Sequence, residues 1–318
     1  MVREMKELLA SKCSREALLW EKEEKRIRCE VCERRCLIPE GKTGFCGARL
    51  HWHGTLYVLT YGNISSMSNN PMSKKPFFHF HPGEYALSIG SWGCNATCPW
   101  CQNYRISKTT ANETGCSYLS PNEFVRKAER RAAGTSFTFN EPVSTLFEYS
   151  LDVMPRARQR KLFNTYVTNG YMTEETLSKL VEAGLDAAQI DVKGCKKAET
   201  WTALNVEYVW RNAQLLKRKG VDVEITTLII PTINDDEACL RTIAHRIKEE
   251  LGEETPWHVT RYYQAYKAAE KGLPSATPVE AVEKAYKIGK DVGLKFVYTG
   301  NVPGHRWENT YCPNCGRT

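Results

Sequence analysis

The sequence predicts an α/β protein, a partial (β/α) barrel, on three observations. Strand-like and helix-like segments alternate from about residue 85 onward. The helix-like segments carry their own start and stop signals, and unusual motifs recur at the expected C-terminal ends of the strands.

Seven segments are rich in the β-branched and aromatic residues that strands favour: Tyr85–Ile89, Thr135–Phe139, Leu162–Val167, Ala187–Val192, Val221–Ile230, Trp257–Tyr263 and Leu294–Tyr298. Between them, Ser120-Pro-Asn-Glu123 opens a helix: serine caps, proline suits the first helical position, and glutamate returns a bond to the cap. Thr277-Pro-Val-Glu280 repeats the device. Thr173 with Glu174 and Glu175 starts another helix, and Gly184 stands where a C-terminal glycine belongs, as do Gly220 and Gly293. Repeated strand–helix–strand units imply a parallel sheet covered by helices, and their number suits a full or partial barrel better than a short open sheet. Barrel active sites form where the loops after the strands converge. At those positions lie Asn140-Glu141-Pro142, Thr168-Asn169-Gly170, Asp191-Val-Lys193-Gly194, Pro231-Thr-Ile-Asn234-Asp235 and Arg261.

Residues 1–84 read differently, as a polar, cysteine-rich, metal-binding N-terminal extension; residues 85–301 are the barrel core, and 302–318 a tail with a C-x2-C knuckle. A chain of 318 residues buries a sizeable core. No apolar run is long enough to span a bilayer, and the first residues are too charged for a signal peptide, so no membrane partner and a cytoplasmic location are expected. The net charge of +7 is scattered, for example at Lys74 and Lys75. It reads as solvated helix faces and not as a nucleic-acid surface, because no recognition motif accompanies it.

Thirteen cysteines fall into groups. Without a secretion signal, closely spaced thiols are read as metal ligands before disulfides. Cys13, Cys116, Cys195 and Cys239 stand apart and read as buried small apolar residues. Cys94, Cys98 and Cys101 form C-x3-C-x2-C directly after the first barrel strand. Three thiolates on a tight loop can hold three irons of a 4Fe–4S cubane and leave the fourth iron open to a small molecule. A zinc site would want a fourth ligand or a water. Cys29, Cys32, Cys36 and Cys46 have spacings that let four thiolates converge, on zinc or on an auxiliary Fe–S cluster; Cys312 and Cys315 form half of a knuckle and can join them.

The cysteine triplet, with Trp100 before its last member, resembles the signature of the radical S-adenosylmethionine (SAM) superfamily. That resemblance implies a radical-SAM-type partial barrel and catalytic Cys94, Cys98 and Cys101. It also implies a cluster that reductively cleaves SAM, giving a 5′-deoxyadenosyl radical that abstracts hydrogen from a substrate. Asn140-Glu141 sits where the superfamily carries a Gly-Gly-Glu stretch against the SAM amino group. By the same resemblance Trp100, Thr168, Asn169 and Arg261 belong to the cofactor site. Asp191 and Lys193 resemble the Asp-x-Lys of glycyl-radical activating enzymes. Over nearly the whole chain, the N-terminal cysteine pattern, Val167-Thr-Asn-Gly-Tyr171, Trp257-His-Val-Thr-Arg261, Gly300-Asn-Val-Pro-Gly-His305 and Asn309-Thr-Tyr-Cys-Pro-Asn-Cys315-Gly316 are similar to the AmmeMemoRadiSam system radical SAM enzymes, a family likened to pyruvate formate-lyase activating enzyme. The expected partners are a low-potential electron donor and an unidentified substrate, small molecule or protein. Two narrower or different functions stand beside this one: activation of a glycyl-radical enzyme, and a zinc-stabilised binding protein without radical chemistry.

Overall fold

The computed structural model describes residues 2–318, and the chain divides into two compact units. The first comprises residues 1–71, 83–96 and 103–187. Its main strands are β1 (Ser66–Pro71), β2 (Tyr85–Gly90), β3 (Gly134–Phe137) and β4 (Phe163–Thr168), side by side in that order. β1 runs antiparallel to β2; β2, β3 and β4 are parallel, with Leu87 opposite Thr135 and Thr135 opposite Asn164. All four residues of β3 are buried, as in a parallel sheet covered on both faces. The buried polar groups pair internally, Thr135 Oγ1 donating to Asn164 Oδ1 at 2.7 Å. The helix Pro121–Glu129 carries the expected capping box at Ser120 and Glu123, and Glu174–Ala183 is capped by Thr173 and closed by Gly184 at φ +109°.

Earlier in the same unit lie two small three-stranded antiparallel sheets. One contains Arg15–Glu16, Thr55–Val58 and Arg49–Trp52, the other Trp20–Glu23, Arg26–Cys29 and Leu37–Pro39. Fully buried Ile27, Leu50 and Leu56 come from their strands. Arg49 and Glu148 form a buried bidentate pair, Nη1 and Nη2 donating at 2.6 and 2.9 Å, which ties the strand Arg49–Trp52 to the helix Phe147–Gln159.

The second unit comprises residues 72–82, 97–102 and 188–318. Its strands are β5 (Ala187–Asp191), β6 (Asp222–Ile229), β7 (Trp257–Arg261) and β8 (Val297–Gly300), again side by side in order. β6, β7 and β8 are parallel, with Thr227 opposite Val259 and Val259 opposite Thr299. The intervening helices include Val206–Arg218, Glu237–Arg246 and Val279–Val292. The α/β class with parallel strands is thus the one expected, and every predicted strand is present with shifted ends.

Glu224 explains the odd stretch Phe78-His79-Phe-His81. Its fully buried carboxylate accepts from the Phe78, His79 and Phe80 amides at 3.0, 2.9 and 3.3 Å and pairs with His258 Nε2 at 2.7 Å. Burial pushes this carboxyl up, but His258 and the amides outweigh it and hold it below the usual glutamate value.

Two expectations are corrected. The isolated cysteines are not unpaired apolar residues: Cys13–Cys116 and Cys195–Cys239 are disulfides, with Cα atoms 5.9 and 5.7 Å apart, and sequence spacing cannot reveal such long-range pairing. Thr277 does not cap the last long helix; Pro278 holds the cap position, because the Thr277 hydroxyl donates to the Ile229 carbonyl at 2.6 Å. Among the described residues, no helix is long and apolar enough to cross a membrane.

Candidate active site

The loop after β2 carries Cys94. Gly93 has φ +98°, and a Cβ added there would stand 2.1 Å from the Cys46 carbonyl oxygen, so glycine alone lets the loop lie against residue 46. Gly93→Ala is expected to cost about 3 kcal/mol or more, from the left-handed backbone and the displaced carbonyl together. Denaturant unfolding checks this; an unchanged midpoint at constant m would show that the loop yields freely.

Residues after β3 and β4 build a hydrogen-bonded support for this loop. Asn140 accepts the Ser91 N–H at 3.1 Å and donates from Nδ2 to the Gly93 carbonyl at 2.7 Å. Glu141 caps the short helix Pro142–Thr145 through the Val143 N–H at 3.1 Å. The same carboxylate, 3 % exposed, accepts from Thr168 Oγ1 at 2.6 Å and from the Asn169 N–H at 2.8 Å. Asn169 Nδ2 then donates to Asn95 Oδ1 at 2.7 Å, beside Cys94. The Arg34 guanidinium donates to the Asn95 carbonyl, and Lys108 Nζ to the Ala96 carbonyl at 2.6 Å. The Ala96 N–H points to Cys94 Sγ at 3.4 Å. Asn140, Glu141, Thr168 and Asn169 are therefore brought together, acting largely on one another and on the loop. Asn95, Arg34 and Lys108 were not legible from the sequence. Asn95 is an unspecified position inside C-x3-C, and the Arg34 contact spans 61 residues with no local signal.

In the second unit, Cys98 and Trp100 are buried and Cys101 is half-buried. Thr97 binds the end of the helix Lys196–Thr202, its N–H donating to the Thr202 carbonyl at 3.0 Å and its Oγ1 to the Trp201 carbonyl at 2.7 Å. Gln102 Nε2 donates to the Tyr263 carbonyl at 2.6 Å. Asp191 ends β5 and pairs through Oδ2 with Lys193 Nζ. Burial pulls the Lys193 ammonium down, but Asp191 and the thiols of Cys98 and Cys101 outweigh burial and hold its pKa above the usual lysine value. A cation that stays charged at neutral pH thus neighbours two of the three cysteines. Asn234 donates to the Lys193 carbonyl at 2.9 Å and accepts the Ile230 N–H at 2.7 Å, folding the Pro231–Asp235 turn back on Lys193. Arg261 is directed elsewhere, its Nε donating to the Thr277 carbonyl at 2.7 Å and its Nη1 to Tyr263 Oη at 3.1 Å. Trp100 Nε1 and Asp191 Oδ1 are buried without a hydrogen-bond partner, as is Trp92 Nε1 in the first unit.

The remaining cysteines divide by exposure. Cys29, Cys32 and Cys46 are buried and Cys36 half-buried, whereas Cys312 and Cys315 are exposed in the second unit. Among the described residues, no three His, Cys, Asp or Glu side chains already stand in metal-coordination geometry.

Residues 89–241 match the Radical SAM superfamily. Over 307 residues the chain is 40 % identical to the uncharacterized protein MJ0808 of Methanocaldococcus jannaschii, covering 95 % of this chain and 90 % of that one. A second protein of that organism, MJ0674, also uncharacterized, is 22 % identical over 85 % of this chain and 76 % of its own. The chain belongs to one family with MJ0808. At the level of fold it resembles Streptococcus suis SuiB, solved bound to S-adenosylmethionine, with a TM-score of 0.51 at 10 % identity over 72 % of this chain; it spans about half of SuiB, 52 % of that chain.

Proposed function

We propose that this chain is a radical SAM enzyme, with Cys94, Cys98 and Cys101 as ligands of a 4Fe–4S cluster and SAM as its cofactor. The observation that carries the reading is the C-x3-C-x2-C loop placed directly after β2 in a chain that matches the superfamily. The donor set fits: three soft sulfur ligands suit an Fe–S cluster and leave one iron unligated by protein. The orphaned indole N–H groups of Trp92 and Trp100 are suitable donors to sulfur or to a carboxylate, and Asp191 Oδ1 is an acceptor awaiting a donor. When bound, the reduced cluster supplies the electron that cleaves SAM, and the resulting 5′-deoxyadenosyl radical abstracts hydrogen from the substrate.

The chain's own residues have separable tasks. Asn140 and Gly93 set the path of the Cys94 loop, and Glu141, Thr168 and Asn169 hold Asn95 beneath it. Lys193 supplies positive charge for the Cys98 and Cys101 thiolates and for an anionic group such as a carboxylate. The likeness of Asp191-Val-Lys193 to the Asp-x-Lys of glycyl-radical activating enzymes supports the narrower reading, that the substrate is a partner protein on which a glycyl radical is installed. A glycyl-radical EPR signal on such a partner would support it, and modification of a small molecule alone would exclude it.

After anaerobic reconstitution with iron and sulfide, reduced protein is expected to show a brown, EPR-active cluster and to release 5′-deoxyadenosine from SAM. Cys94→Ala is expected to lose both. Colourless protein that binds only zinc and never forms 5′-deoxyadenosine would instead establish the non-radical binding protein.

A further inference from the structure

The N-terminal cysteines take no part in the chemistry above, yet they are not scattered. Cys29 ends the strand Arg26–Cys29 and Cys36 precedes the strand Leu37–Pro39; the Cys29 N–H donates to the Cys36 carbonyl at 3.0 Å, so both sit at the loop end of one hairpin. Cys32 lies in the connecting loop, where the Arg35 N–H donates to its carbonyl at 2.9 Å and Arg35 adopts φ +43°. Cys46 returns to the same place because Gly44 packs on Cys36: a Cβ at Gly44 would lie 3.8 Å from Cys36 Sγ. All four side chains, with Arg49 and Asn95, line one void with room for little more than a water-sized particle.

One feature of the void's wall points to a bound cation held by charged sulfur: Arg49. It is 1 % exposed and spends Nη1 and Nη2 on Glu148, but its buried Nε has no partner. A guanidinium N–H left unsatisfied in the interior costs free energy that a thiolate acceptor would recover. Cys29 and Cys46 line the same void as this guanidinium.

We propose that Cys29, Cys32, Cys36 and Cys46 bind a single zinc ion as a tetrathiolate, independently of the radical SAM cluster. Four cysteines around one small void suit a single ion, and tetrahedral sulfur ligation at about 2.3 Å is what zinc takes in closed structural sites. The site lies against the active-site loop, since the Cys46 carbonyl blocks any side chain at Gly93 and Asn95 lines the same void.

The test uses full-length protein in which Cys94, Cys98 and Cys101 are all alanine, so that its result does not depend on the radical SAM reading. Metal analysis of this variant is expected to find one zinc per chain. Exchange into cobalt is expected to give the visible bands of tetrahedral thiolate cobalt. Adding Cys29→Ser and Cys32→Ser should reduce zinc to background; adding Cys312→Ser and Cys315→Ser should leave it unchanged. Because the first pair can unfold the hairpin, Cys36→His serves as a second probe: a folded protein that keeps its metal should show a cobalt spectrum shifted toward mixed sulfur–nitrogen ligation. Absence of zinc from the triple-alanine protein, iron–sulfur absorption in it, loss of zinc on changing Cys312 and Cys315, or a cobalt spectrum indifferent to Cys36→His would each overturn the proposal.

Discussion

Glu141→Ala is expected to destabilise the protein by about 4 kcal/mol, because three donors lose a charged acceptor at one stroke and two or more remain buried. The donors are the Val143 N–H, Thr168 Oγ1 and the Asn169 N–H, all within 3.1 Å of the carboxylate. For a chain of this length that corresponds to a fall of roughly 10 °C in melting temperature. Glu141→Gln keeps the shape but turns an NH2 toward a donor, so it should fall between alanine and wild type. If Glu141 steadies the Cys94 loop through Asn169 and Asn95, both variants will also lower the amount of cluster retained on reconstitution, in the same order. An alanine variant melting within about 2 °C of wild type would show that the network is dispensable, since so small a shift corresponds to less than about 1 kcal/mol.

The second large effect concerns the Cys195–Cys239 disulfide. It closes a loop with a sequence separation of 44, for which chain-entropy reasoning gives about 4 kcal/mol of stabilisation. The Cys195→Ala, Cys239→Ala double variant should therefore unfold roughly 10 °C below wild type in the absence of reductant, and the two should converge once wild type is reduced. Thiol titration of freshly denatured, metal-free protein should find nine reactive groups, the number of cysteines outside the two pairs. Thirteen would mean that neither pair forms.

The strands were legible because parallel, doubly covered strands read as apolar and β-branched runs, and because Ser120, Thr173, Gly184 and Gly293 mark helix ends with local chemistry. β1 was not. Ser66-Met-Ser-Asn-Asn-Pro71 is polar, and its strand character comes from pairing with β2. The motifs were legible as residues but not as geometry. Asn140 and Glu141 stood out at a strand end; that their polar atoms turn to Ser91, Gly93, Thr168 and Asn169 depends on contacts across 27 to 49 residues. The same holds for Arg261 and Thr277, whose groups meet across 16 residues. The disulfides lay furthest out of reach, because each joins cysteines with no neighbouring partner in sequence.

Sulfur is thus required in two oxidation states within one chain: four atoms paired, nine as thiols. Exchange between a thiolate and a disulfide needs direct access of one sulfur to the other. Cys29, Cys32, Cys46 and Cys98 are buried, as are Cys13 and Cys239. Folding before oxidation therefore shields these six sulfurs from exchange, whereas oxidation of the open chain would leave them all accessible.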